Sequence, residues 1–488
     1  MFTTLLLLAS PAHAAGAAGM GTPAVGGGLV GPTRDGVEGL FLNPAAAHPD
    51  SGELLLNLQY AWSRTEMTLA GEAPAVSSDG NVIPAIAIAA PAGPLGFGLA
   101  LMAPYGRGTD NGEDSALRFH NMGSEVRVLE ADLCLAIAPT KWLTVGGAAR
   151  VARLSLDNAV AVDTGVMLAG LVGDGTVSTV STVSTDSTDS TDSTDREALL
   201  GDPFLEGTQR VSNASGVGGG WAVGLRIEPS EGWMLAFDYR SRLRGVAEGD
   251  LIYTPVNDLD LQITGTARTY MQFADEWTLA ADVPVGAATL TPELSRIGWS
   301  SWSVLETRLE GLEFGSRDPV LDALLAQLGT SLEALLVDLS QSVSNNGNSD
   351  IYSGGVGARV PVGESLVFIG GIWITPASVP DTHASPGNLD FGVTDLRWGA
   401  TWTSRRGLTI GLVNDLYLIA DREVTTSVRD PLRDGDSGLA GISGDGSYGL
   451  ELYRAGLTLE KRWGQEAPAR RKAGVQEIQH AGDGDDPV

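Results

Sequence analysis

Along much of the chain, apolar and polar residues alternate singly. Trp221, Val223, Leu225 and Ile227 alternate with Ala222, Gly224, Arg226 and Glu228. The same period holds for Trp233, Leu235, Phe237 and Tyr239, for Leu143, Val145, Ala149 and Val151, and for Tyr453, Ala455, Leu457, Leu459 and Trp463. Successive side chains of a strand point to opposite faces, so each run reads as a strand with one apolar face. The other face carries charge and glycine together. A soluble sandwich would bury its apolar face in a core, whereas a membrane barrel turns that face to lipid and the polar face to its lumen. Trp142, Trp233, Trp277 and Trp463 stand at strand ends, where an interfacial aromatic girdle belongs. The connections alternate in length. Pro139-Thr140-Lys141, Pro229-Ser230-Glu231-Gly232 and Arg405-Arg406-Gly407 are very short, and the others are long and polar. Short turns on one side and long loops on the other favour an outer-membrane barrel.

Strands are expected near 53–69, 81–91, 95–104, 125–139, 142–157, 218–229, 233–245, 265–284, 288–304, 350–361, 365–378, 389–404, 408–424 and 448–463. The number is even, so an antiparallel barrel can close. Closure matters because an open edge in lipid leaves backbone groups unpaired. The expected fold is therefore all-β: a fourteen-stranded antiparallel transmembrane β-barrel over 53–463. Val82 to Ala103 lacks charge and has the length of a membrane helix, but it holds Pro84, Pro91, Gly93, Pro94, Gly96 and Gly98. Such residues break a helix, and Pro91-Ala92-Gly93-Pro94 reads as a turn between strands.

The remaining segments have other characters. Residues 1–14 read as an export signal, with Leu5-Leu6-Leu7-Leu8 at the centre and Ala12-His13-Ala14 as the cleavage site. The usual basic start of such a signal is missing, which an earlier start codon would supply. Residues 15–52 are rich in glycine and alanine and suit a hatch folded inside the lumen, where backbone passes close to the wall. Residues 158–217 form a long extracellular loop of low complexity, with the Ser178–Asp195 triplet repeat at its centre. Residues 305–349 form a partly helical loop, because Val320, Leu321, Leu324, Leu325, Leu328, Leu332, Leu335 and Leu336 recur at helical spacing. Residues 464–488 are polar and read as a disordered tail.

Composition narrows the chemistry. The chain has 60 acidic against 31 basic residues and a net charge of −29, which repels phosphate backbones and argues against nucleic-acid partners. With one cysteine, Cys134, there is no disulfide framework, Cys-rich zinc site or iron–sulfur cluster. The five histidines are scattered without metal-ligand spacing, so no metal is expected. Gly19-Met20-Gly21-Thr22-Pro23-Ala24 loosely mimics a dinucleotide fingerprint, but no strand precedes it and the compartment of an exported chain lacks such cofactors, so none is expected. No G-x-S-x-G occurs, and His120 lies near no nucleophile motif, so the chain does not read as an enzyme.

Several motifs occur in an order that resembles the FadL-type outer-membrane transporters of long-chain fatty acids and aromatic hydrocarbons. Met20-Gly21-Thr22-Pro23-Ala24-Val25-Gly26-Gly27, then Asp35 and Asn43-Pro44-Ala45, is similar to that family's N-terminal hatch. Phe97-Gly98-Leu99-Ala100 with Ala103-Pro104-Tyr105-Gly106 resembles its third strand. Leu117-Arg118-Phe119-His120, Tyr239-Arg240-Ser241, Ile297-Gly298-Trp299-Ser300-Ser301-Trp302-Ser303 and Pro380-Asp381 before Arg397 follow in the expected order. The resemblance spans about residues 19–463 and implies a plugged barrel in the bacterial outer membrane. Its implied partners are hydrophobic small molecules such as fatty acids, outer-membrane lipid and the barrel-assembly machinery. Asn43, Pro44 and Ala45 would gate the hatch. Gly96, Gly98 and Pro104 would mark a lateral exit through the third strand, because small residues and a missing ladder donor weaken the wall. An alternative for the two glycines is clearance for the hatch. Lumen charges at Glu130, Asp132, Arg150, Arg226, Glu228, Asp238, Asp395, Arg397, Asp415, Arg454 and Glu460 should pair with one another, while Arg240 or Arg242 could hold a substrate carboxylate. A structural or secretion-accessory barrel without solute transport is the alternative function. The ligand and the oligomeric state are not legible.

The topology predicts that a protease site inserted within Ser178–Asp195 is cut on intact cells. Cleavage confined to a site inserted at Arg405-Arg406 would invert the assignment.

Overall fold

The computed structural model describes residues 31–34, 36–69, 72–115, 117–163, 206–255, 262–314, 341–428 and 444–463. The first long strands are β1 (Gly52–Leu69), β2 (Ala75–Ala92), β3 (Leu95–Asp110), β4 (Gly123–Thr140), β5 (Leu143–Asp163) and β6 (Glu206–Ser230). Next come β7 (Trp233–Arg240) and β8 (Leu243–Pro255), β9 (Ile263–Phe273) and β10 (Glu276–Val285), and β11 (Ala288–Ile297) and β12 (Val304–Phe314). The wall continues through β13 (Gln341–Asn345), β14 (Ile351–Val362), β15 (Leu366–Thr375), β16 (Val393–Thr403), β17 (Leu408–Ile419), β18 (Arg422–Val424) and β19 (Gly446–Trp463). Ten of these segments join end to end in five pairs, so the nineteen make fourteen wall strands. Neighbours are antiparallel throughout, and β1 pairs with β19 from Gly52↔Trp463 to Leu69↔Gly446. The wall is thereby closed.

The alternation of the sequence becomes the two faces of this wall. Leu133, Leu135, Trp221, Val223, Leu235, Leu294, Leu412 and Leu457 are exposed on the outside. Their neighbours Asp132, Cys134, Ala222 and Thr458 are buried within. Trp142, Trp233 and Trp463 are exposed beside the short turns, in the girdle position. The outer face of β7 is apolar at Leu235 and Phe237, whereas further from the turns Glu248, Arg268 and Glu310 form an exposed ion-pair chain across β8, β9 and β12 (2.7 and 3.1 Å). The outer face thus changes from apolar to charged over about one membrane-spanning strand length, ~10 residues.

At that change, adjacent strands are interrupted together. The breaks lie between β7 and β8, β9 and β10, β11 and β12, and β13 and β14. An ion-pair chain follows them: Arg242 to Asp275 (3.0 Å), Asp275 to Arg296 (3.1 Å), and Arg296 to Asp350. Charged side chains here join segments where the backbone ladder lapses.

Two loop boundaries differ from the sequence reading. Within 305–349, Leu305, Thr307 and Leu309 are buried while Arg308 and Glu310 face out in β12, and Gln341 and Ser342 belong to β13. Within 158–217, β5 continues to Asp163 and β6 begins at Glu206. Both extensions lie beyond the apolar band, where the outer face meets water, so an apolar outer face no longer marks the strand. The Ser178–Asp195 repeat, residues 318–340 of the expected helix, the tail 464–488 and residues 1–30 lie outside the described residues.

The apolar outer face predicts a depth-dependent penalty. Leu133→Arg should destabilise the barrel by about 2–4 kcal/mol, the range for a cation near the bilayer midplane. Urea unfolding in lipid vesicles, compared with Leu133→Ala, measures it.

Candidate functional site

The N-terminal segment from residue 31 to β1 lies against the inner wall. Gly36–Gly39 forms one helical turn and Pro44–Ala47 one 3-10 turn. Pro44 suits the first position of such a turn, since its ring fixes φ and its missing N–H is not needed there. Asn43 caps the turn: its Oδ1 accepts from the Ala45 N–H at 2.9 Å, and its Nδ2 donates to the Pro32 carbonyl at 3.0 Å. The same Nδ2 reaches the Leu225 and Phe237 carbonyls of β6 and β7, both at 3.4 Å. Glycines of the wall make room for this approach. A Cβ on Gly224 would stand 1.8 Å from Asn43 Oδ1, one on Gly146 2.3 Å from the Ala45 nitrogen, and one on Gly96 2.2 Å from the Ala47 carbonyl oxygen. A Cβ on Gly98 would stand 2.7 Å from Leu40. Further ties hold the segment. The Val37 N–H donates to Glu53 at 3.0 Å and the Thr33 hydroxyl to Asp282 at 2.9 Å.

A layer of charge lies beside the segment. Arg150 donates to both carboxylate oxygens of Glu130, at 2.7 and 2.9 Å. Arg240 donates to Glu130 at 2.5 Å, to Asp132 at 2.9 Å and to the Phe41 carbonyl at 3.1 Å. All four side chains are buried, as is Asp238. Arg397 pairs with Asp395 (2.6 Å) and Arg454 with Asp415 (2.5 Å) on the opposite wall. The expected pairing of lumen charges is thus met at these positions, while Glu228 is about half exposed beside a short turn. The guanidinium of Arg240 is taken up by two carboxylates and the backbone of the N-terminal segment. That of Arg242 is held by Asp275 at the line of interrupted strands. Each guanidinium thus already has a carboxylate partner.

Beyond the charge layer the lumen is apolar. Val128, Leu154, Leu243, Met271, Phe273, Ile297, Trp299, Trp302 and Ile351 belong to one buried cluster, against which Tyr105 packs. Tyr105 and Phe273 stack with ring centroids 4.6 Å apart, and Phe273 lies 4.9 Å from Trp302.

The wall opens at the same height. β2 and β3 pair from Ala92↔Leu95 to Ile86↔Leu101 and no further. Beyond that rung β2 continues with β1 alone and β3 with β4 alone. A cleft of about 560 Å³ occupies the gap, lined among others by Trp62, Val82, Pro84, Ala103, Tyr105 and Leu129. Gly96 and Gly98 lie on the paired part of β3, against the N-terminal segment, and Pro104 lies at the edge of the gap. A bulge sits at Ala103-Pro104: Met102 faces Glu130 and Tyr105 faces Val128, so three steps on β3 match two on β4. The extra residue reverses the facing of everything after it. Tyr105 therefore points inward, where strict alternation from Met102 would send it outward. A proline inside a strand was the one sequence signal of this, since it can donate no ladder bond.

Outside the membrane-spanning part, the segment between β15 and β16 is held by Asp390, which accepts from the Ser378 and Phe391 N–H groups at 2.6 and 2.7 Å. Burial pushes its carboxyl up to about 6. Among the described residues no group of His, Cys, Asp and Glu is arranged to hold a metal ion.

No family model matches the chain, and no curated protein matches it in sequence. Solved structures do match. A FadL homologue of Pseudomonas aeruginosa superposes with a TM-score of 0.68 at 14% identity, covering 92% of this chain and 98% of that one. The Pseudomonas putida toluene transporter TodX gives 0.62 at 16%, covering 91% and 99%. The Ralstonia pickettii toluene transporter TbuX gives 0.60 at 18%, covering 91% and 98%. The chain has the fold of these channels and the architecture of a bacterial outer-membrane β-barrel.

The seating of Asn43 is testable. Gly224→Ala should expel the Asn43–Ala47 turn while leaving the barrel heat-modifiable in gels. In a Cys134→Ser background, a cysteine placed by Ala46→Cys should resist maleimide in the parent and react in the Gly224→Ala variant. Equal protection in both would show that the turn does not depend on this clearance.

Proposed function

We propose that this barrel carries hydrophobic small molecules across the outer membrane and releases them sideways through the gap between β2 and β3. The observation that carries the reading is the order of the lumen. The apolar cluster ends at the layer of Glu130, Asp132, Arg150 and Arg240, and the wall gap begins at the next rungs, since Ala100 pairs with Asp132 and Met102 with Glu130. An apolar solute gains about 0.8 kcal/mol per methylene by staying out of water. It is favoured in the cluster, opposed by the charge layer, and offered a cleft to lipid just before that layer.

In this reading residues 15–52 form the hatch. Asn43, Pro44 and Ala45 set its position against the wall glycines, and Gly96 and Gly98 give it clearance. The exit is the cleft edged by Pro104. The ion pairs of Arg240 tie the hatch to the wall and do not bind the solute. The neighbours in fold include transporters of toluene, which agrees with an apolar cargo and with a role other than catalysis. Outer-membrane lipid would receive the solute, and the barrel-assembly machinery would insert the chain.

The test is uptake of radiolabelled toluene and oleate by cells with and without the protein. Asn43→Ala combined with Pro44→Ala should leave a heat-modifiable barrel in the outer membrane and lower uptake of whichever probe the wild type carries. Normal uptake by this variant would remove the hatch from the mechanism. No uptake by the wild type, together with a copurifying protein, would favour an accessory barrel.

A further inference from the structure

We infer that Tyr105 is an aromatic gate between the apolar lumen and the wall cleft. The inference rests on the transport reading above and adds the residue that controls passage within it.

Tyr105 is the side chain common to the two spaces. It lines the cleft between β2 and β3 and packs against the buried lumen cluster. Its ring lies nearly parallel to that of Phe273, at 20°, and meets Trp299 edge-on at 6.2 Å. β3 and β9 do not pair, so the stack bridges separate parts of the wall. A bulge in β3 and the end of β9 bring the rings together. The Ala103-Pro104 bulge turns Tyr105 inward. In β9 the inward residues are Ala267, Thr269, Met271 and Phe273, whereas in β10 they are Thr278, Ala280 and Asp282, so the inward parity changes across Ala274-Asp275. Beyond Leu101, β3 lacks its β2 partner, so the backbone carrying Tyr105 is held on one side only. Such a segment moves more easily than one paired on both sides. With the stack closed, the ring of Tyr105 stands between the lumen cluster and the cleft. Rotation of Tyr105 off Phe273 joins them.

The same uptake assay tests the gate in the full-length chain, with toluene as a small probe and pyrene as a bulky one. Tyr105→Ala should raise toluene uptake severalfold and admit pyrene more readily than the wild type does. Phe273→Ala, which removes the stack from the other side, should do the same. Tyr105→Phe keeps the ring and should match the wild type, and Tyr105→Trp should slow both probes. Should Tyr105→Ala fail to give a heat-modifiable barrel, Phe273→Ala and Tyr105→Trp decide the matter. The gate is overturned if the assembled variants leave both rates unchanged, or if Tyr105→Phe behaves as Tyr105→Ala, which would assign the effect to the hydroxyl. If the wild type carries neither probe but Tyr105→Ala admits one, the gate stands and the transport reading needs another cargo. If neither protein carries a probe, both ideas fall.

Discussion

Everything in this molecule depends on satisfying the backbone inside lipid. The hydrocarbon offers no hydrogen bonds, so each N–H and C=O of the wall must find a partner within the sheet. The β1–β19 pairing meets that demand by closing the ring. Departures from the ladder therefore stand out. Where β7 through β14 are interrupted, Arg242, Asp275, Arg296 and Asp350 bridge the breaks, and the Gly298 N–H finds the Asp275 carbonyl at 2.7 Å. The breaks sit where the outer face turns charged, within reach of water. The gap between β2 and β3 has no such bridge among the described hydrogen bonds, and it opens onto a cavity. On the proposed reading, that gap is the passage.

The lumen obeys the opposite economy, since it must hold charge away from water. Burying one ion costs several kcal/mol even after relaxation, and removing one member of a buried pair costs ~3–5 kcal/mol. Arg240 balances Glu130 and Asp132 while donating to Phe41, so the N-terminal segment shares in a network that the wall cannot easily forgo. Two separate features thus seat the segment: ion pairing on one side and glycine clearance at Gly146 and Gly224 on the other.

The sequence shows the wall well and the interior unevenly. Single alternation locates the strands because lipid and lumen make opposite demands on successive residues. The apolar outer face that marks the membrane strands is missing in β12 and early β6, where water bathes it: β12 turns Leu305 and Leu309 inward and Arg308 and Glu310 outward, and early β6 is largely polar. Asn43-Pro44 and the lumen charges are visible as motifs, and their partners are set by register. The pairing of Arg240 with Glu130 requires β4 and β7 to present those residues at one height across the lumen. Tyr105 is the clearest case of what pattern reading misses. One extra residue at Ala103-Pro104 exchanges the faces of the strand, so counting from Met102 gives the wrong side. Gly96 and Gly98 are open to two readings in the sequence, a weak wall or clearance for the N-terminal segment. They lie on paired rungs where backbone from the N-terminal segment comes close.

If the barrel carries an apolar solute as proposed, the relative size of two barriers inside the lumen sets its route. An aromatic pair such as Tyr105 and Phe273 contributes about 0.5–1.5 kcal/mol beyond its buried area. Parting the rings costs this plus the apolar area they bury, and leaves no ion unpaired. The charge layer offers no comparable opening, because parting Arg240 or Arg150 from Glu130 exposes unpaired ions to a medium that cannot solvate them. On that reading, a solute held in the apolar cluster meets a lower barrier toward β3 than toward the N-terminal segment. In the proposed mechanism the layer of ion pairs acts as a floor, and an apolar molecule resting on it is turned toward the wall.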